Sequence, residues 1–128
     1  MQVGNLTLIS VGDAALNLEL DASNLREMFT TRREPLPFYQ HPDTKVIYIE
    51  ERVYRMLCET VQHVLNEGYA RNYWRFMSFV RRFLLEQPVW TDEQRSQQQP
   101  PTKRGDRFMH PALPWPQRSD VPEGSLFD

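Results

Sequence analysis

The sequence predicts a small α+β fold, mainly helical, that carries an extended proline-rich C-terminal arm. Three observations support this. Apolar residues alternate over residues 6–20, they recur at helical spacing between residues 53 and 84, and seven of the ten prolines follow Gln87. Alternation marks a half-buried strand, and a 3.6-residue period marks an amphipathic helix. A proline-rich stretch without a period lacks the means to build a core of its own. The chain has 128 residues, 40% hydrophobic and 25% charged, which suits one modest globular domain. The expected organisation is a folded domain over residues 1–87 and an arm over 88–128.

Taken in order, residues 2–21 read as a β-hairpin. Leu6, Leu8 and Ser10 alternate with Thr7 and Ile9, and Leu16, Leu18 and Leu20 alternate with Asn17 and Glu19. Gly12 sits between the runs, where a tight turn needs positive φ. A lone hairpin is marginal in water, so its leucine face must pack on something. Asp21-Ala22-Ser23-Asn24 reads as a helix entry, with Asn24 as cap and Glu27 three residues on. Leu25, Met28 and Phe29 then share one face. Pro35, Pro37 and Pro42 make residues 30–42 a connecting strap.

Val53, Met56, Leu57, Thr60, Val61, Val64 and Leu65 predict a long helix that Gly68 stops. Val46 and Ile49 keep the same phase, which favours a start near Asp43 or Thr44. The β-branched run at 46–49 also suits a short strand beside the hairpin. A second helix is expected from Tyr69 to about Gln87, with Tyr73, Phe76, Met77, Val80, Phe83 and Leu84 on its apolar stripe and Pro88 as its stop. The short break at 66–68 makes the two helices an antiparallel αα-hairpin.

Charge and composition then narrow the function. A net charge of −2 gives no global attraction to nucleic acid or an anionic membrane. A single cysteine, Cys58, rules out an internal disulfide framework and suits a reducing compartment. The N-terminus lacks the pattern of a secretory signal, and no apolar run reaches transmembrane length. The expected setting is an intracellular compartment, a virion or an organellar complex, without secretion or a membrane span.

Nothing in the sequence predicts catalysis, a metal or a cofactor. The glycines are scattered singly, and neither His41 nor His110 has a sequence neighbour that suggests a triad. Glu59, His63 and Glu67 line one stripe at i, i+4 and i+8, a donor set suited to a divalent metal. They lack the paired His or Cys spacing of a zinc site and flank the apolar seam, where polar residues are normally solvated.

Two stretches hold candidate binding residues. Arg71, Arg75, Arg81 and Arg82, with Trp74 among them, form a basic face on the predicted second helix. Guanidinium groups beside aromatics hold phosphates and stack on bases, or dock on an acidic protein surface. In the arm, Trp90, Phe108, Trp115 and Phe127 are large aromatics that a solvating tail has no reason to keep, and Pro111 and Pro114 have P-x-x-P spacing. These observations predict a non-enzymatic structural or assembly subunit of a larger complex, such as a virion or tail component or an organellar accessory subunit. Its partners would be other protein subunits, in hetero- or homo-oligomers. A nucleic-acid-associated protein using the basic face is the alternative.

Val53-Tyr54-Arg55 at the start of a helix, with Arg82-Phe83 one helix later, resembles the Leu-Tyr-Arg accessory proteins of mitochondrial complexes. Those proteins have three helices and open the motif with leucine. Here valine stands in that place and the third helix has no counterpart, so the resemblance is confined to residues 53–83.

Overall fold

The structure is a computed structural model that describes residues 1–31, 36–97 and 112–116. Among these residues lie five helices and a four-stranded antiparallel sheet, a mixed α+β arrangement. The strands are β1 (Gln2–Val3), β2 (Leu6–Ser10), β3 (Tyr39–Gln40) and β4 (Ile47–Glu50), in the order β1-β2-β4-β3. The helices are α1 (Val11–Leu18), α2 (Ala22–Thr30), α3 (Glu51–Asn66), α4 (Phe76–Leu85) and α5 (Asp92–Gln97).

The hairpin predicted over residues 2–21 is not formed. β2 pairs back onto β1 through a turn in which Gly4 has φ 59°, and the chain after Ser10 enters α1. The Ser10 hydroxyl accepts from the Asp13 N–H at 3.0 Å, which caps the helix. Val11, Ala14, Ala15 and Leu18 are buried at i, i+3, i+4 and i+7, whereas Leu16 is 76% exposed. The helical phase therefore wins over the leucine alternation. Glu19, in the left-handed region, closes the helix. At the next entry Asp21, not Asn24, is the cap: its carboxylate accepts from the Asn24 N–H at 2.9 Å. Leu25, Met28 and Phe29 are buried, as their spacing predicts.

Residues 47–50 form a strand, which corrects the helical reading of that stretch. β4 pairs with β2 on one side (Ile9 opposite Ile49) and β3 on the other (Tyr39 opposite Tyr48), so its backbone groups are satisfied laterally. The turn from β3 is built on His41, whose Nδ1 accepts from the N–H groups of Asp43 and Thr44.

α3 buries Val53, Leu57, Thr60, Val61 and Val64. α4 packs against it. Arg52 donates to the carbonyls of Pro88 and Val89, Gln87 donates to Thr60, and the ring of His63 meets Phe83 edge-on at 4.9 Å. α4 begins at Phe76, however, and residues 67–75 are a run of turns where the second helix was expected to start. Gly68 at φ 103° breaks the chain direction, and Tyr69 and Tyr73 face outward, 40% and 38% exposed.

The main core joins all four larger helices to the inner strands, with Phe29, Phe38 and Phe76 among its largest side chains. Burial of each such ring contributes roughly 1.5–3 kcal/mol. The core continues past Gln87, taking in Val89 at 2% exposure. A smaller cluster of Leu8, Tyr39 and Leu113 lies on the sheet, with Trp90 and Trp115 packed around it.

Candidate interaction surfaces

The first surface is the 67–75 turn region and what it leans on. Tyr73 N–H bonds to the Ala70 carbonyl and Phe76 N–H to the Tyr73 carbonyl, each at 2.9 Å, giving two successive tight turns. Tyr69 and Tyr73 stack at 5.5 Å, and both contact the ring of Phe79, at 4.8 and 6.2 Å. The guanidinium of Arg75 lies 5.5 Å from the ring centre of Trp74 and 5.3 Å from that of Phe79. Arg71 ties the loop to the end of α1, its Nε donating to the Leu18 carbonyl at 2.8 Å. Trp74 stands on this ordered base 82% exposed.

The four arginines do not share one helical stripe. Arg71 and Arg75 precede α4, whereas Arg81 and Arg82 lie on it, half-buried and exposed respectively. They still dominate the local charge. Residues 68–85 contain these four cations and no acidic residue; the whole chain carries −2, so the remainder carries −6. A groove of about 550 Å³ runs beside them. α2 supplies Asn24, Glu27 and Met28, the loop supplies Arg71 to Trp74, and α4 supplies Met77, Ser78 and Arg81.

The second surface is where the C-terminal segment meets the sheet. Leu113 makes a parallel bridge with Tyr39 on the outer strand and donates its N–H to the Phe38 carbonyl at 2.9 Å. Its side chain is 2% exposed. Trp115 meets His41 and Tyr48 edge-on, at 4.9 and 5.5 Å. Trp90 and Trp115 are half-buried and Pro114 is exposed. Phe108, Pro111 and Phe127 lie outside the described residues.

Beside this bridge, α5 brings a polar cluster against β3 and β4. Thr91 and Gln94 form a reciprocal cap: Gln94 N–H bonds to Thr91 Oγ1 at 3.0 Å and Thr91 N–H to Gln94 Oε1 at 3.1 Å. The buried amide of Gln94 also donates to the Tyr39 hydroxyl at 3.3 Å and to the Glu50 carboxylate. Arg52 pairs with Glu50 at 3.2 Å. Burial, foremost, and then the nearby carboxylates raise the Tyr39 phenol above its ordinary value of 10.0, against the opposing pull of its bond to Gln94 and the Arg52 charge. A groove of about 440 Å³ lies between this cluster and Trp115. Gln94 and Leu113 are not among the residues that the sequence singles out. The Thr-x-x-Gln pattern at 91–94 signals the first; Leu113 has no comparable local signal.

Glu59 and His63 are exposed on α3, and Glu67, the residue that caps its C-terminus, is exposed too. Among the described residues no group of three or more His, Cys, Asp or Glu side chains is arranged to hold a metal ion, and no helix is long and apolar enough to cross a membrane. Cys58 is a half-buried free thiol, and its hydrogen bond with Tyr54 is the main cause raising that phenol above the ordinary value. The chain matches no protein-family model, no curated protein and no solved structure.

Proposed function

We propose that this chain is a non-enzymatic structural or assembly subunit of a larger multi-protein complex, of the kind found in virions and their tails or among organellar accessory subunits. It binds its neighbours through the Trp74 face and through its C-terminal arm. The observation that carries this reading is the exposure of Trp74 on an ordered base. An indole held 82% in water forgoes a burial worth roughly 1.5–3 kcal/mol. The ring ladder of Tyr69, Tyr73 and Phe79 and the Arg75 guanidinium hold that loop, so docking there costs little further ordering. Tryptophan flanked by arginine is the composition that dominates interface energetics. The bridge from Leu113 to Tyr39 supports the arm half of the reading, because it is strand addition at a sheet edge, a mode that serves equally between chains.

The four arginines in an acid-free stretch support a second reading, a nucleic-acid-associated protein. One experiment separates them. The tagged full chain is purified from its native source, with and without nuclease, beside Trp74→Ala, and each eluate is sized by native mass spectrometry. The assembly reading expects other proteins at fixed stoichiometry, unaffected by nuclease and lost in Trp74→Ala. A chain that elutes alone, or whose companions leave with nuclease, overturns it.

A further inference from the structure

We infer that the groove between α2 and the Trp74 loop receives a short acidic segment of a partner subunit bearing one apolar anchor side chain, an inference that rests on the assembly reading. The floor is apolar and deformable: Met28 is 5% exposed and Met77 half-buried, and thioether side chains repack around varied guests. The walls carry two arginines, Arg71 and Arg81, against one carboxylate, Glu27. The bond from Arg71 to the Leu18 carbonyl fixes that guanidinium at the wall, and a pre-placed guanidinium suits carboxylate recognition. Residues 68–85 carry four positive charges, whereas the rest of the chain carries −6. The groove lining itself is net +1, with Arg75 and Arg82 near it in sequence, so its charge favours an acidic partner over a basic one.

A peptide fits these features better than a polynucleotide does. Base stacking needs open ring faces, and here Tyr69, Tyr73 and Phe79 face one another, which leaves Trp74 as the one open ring of this group. The methionine floor offers nothing to a phosphate.

The test uses short random peptides displayed on phage and selected on the immobilised full chain. A selected peptide is then labelled with fluorescein for anisotropy titrations. Ser78 is exposed in the groove, so Ser78→Glu and Ser78→Lys alter its charge without touching the core. The expected selection is rich in Asp and Glu around one Leu, Phe or Trp. Binding should weaken about fivefold in Ser78→Glu, tighten in Ser78→Lys, and weaken at least about tenfold in Trp74→Ala. Selected peptides without acidic residues, or equal binding to all variants, would overturn the inference. So would tighter binding of an oligothymidylate probe, or a homodimer that Ser78→Glu dissolves, which would place a second copy in the groove. If Trp74→Ala still abolishes incorporation into the native assembly while no acidic peptide is selected, the groove inference fails and the assembly reading stands.

Discussion

Gln94 joins α5 to the sheet, and its replacement separates hydrogen bonding from charge. Gln94→Ala leaves the Thr91 N–H, the Tyr39 hydroxyl and the Glu50 carboxylate each short of a partner. An orphaned buried group costs about 1–3 kcal/mol. With Arg52 still pairing Glu50, the expected loss is about 2–3 kcal/mol. Gln94→Glu instead sets a second carboxylate against Glu50. Two carboxylates in hydrogen-bonding contact share one proton. Binding it at pH 7 costs at most about 3.7 kcal/mol, from about 1.36 kcal/mol for each of the roughly 2.7 units above the ordinary glutamate value. The introduced group thus has a folded pKa raised above its unfolded one, so its contribution is retained at low pH and lost as pH rises through the folded value. Near pH 4.5 the protonated side chain again donates to Glu50. Gln94→Ala introduces no titrating group. Urea denaturation should therefore show Gln94→Glu gaining stability relative to Gln94→Ala as the pH falls from 7 to 4.5, although Arg52, which reaches both side chains, offsets part of the repulsion. An unchanged difference between the two variants at both pH values would refute the cluster as described.

Other perturbations test separate elements. Gly12→Ala should stabilise by about 0.5–1 kcal/mol in thermal unfolding, because Gly12 lies in α1 and an added Cβ meets only Ser10 Oγ at 4.0 Å; a loss would restore the hairpin turn. The Tyr39 phenol has a raised folded pKa, so its contribution is complete below pH 10.0 and fades as pH rises through the folded value. Tyr39→Phe should accordingly lose less stability than the parent between pH 9 and 11 in urea titrations. Leu113→Ala should expose the residue-113 amide to hydrogen exchange. Its effect on global stability should fall below the roughly 2–5 kcal/mol of a core Leu→Ala, because the segment undocks instead of leaving a cavity.

Legibility in the sequence followed how local each cause was. α3 was readable because Val53, Leu57, Thr60, Val61 and Val64 keep one period up to Gly68. α1 was not, because its buried phase rests partly on Ala14 and Ala15, which weigh little beside the alternating leucines, one of them exposed. Residues 46–49 fit both periods, and lateral pairing to β2 and β3 decided for strand. Tyr69 and Tyr73 share the phase of Phe76 and Val80, so the sequence extended α4 backwards; the rings stack on one another instead. Trp74 and its arginines stood out in the sequence as a basic face of one predicted helix, but their division between loop and helix needed the Arg71–Leu18 bond and the turns at Ala70 and Tyr73. Proline content hid α5, although its Thr-x-x-Gln cap stands in the sequence.

The most direct test of the central claim is hydroxyl-radical footprinting, comparing the free chain with the same chain in its native assembly. Trp74 is expected to be oxidised readily in the free chain and shielded in the assembly, with Tyr69 and Tyr73 following it. Equal oxidation of Trp74 in both states would contradict the claim that this face holds the subunit to its neighbours.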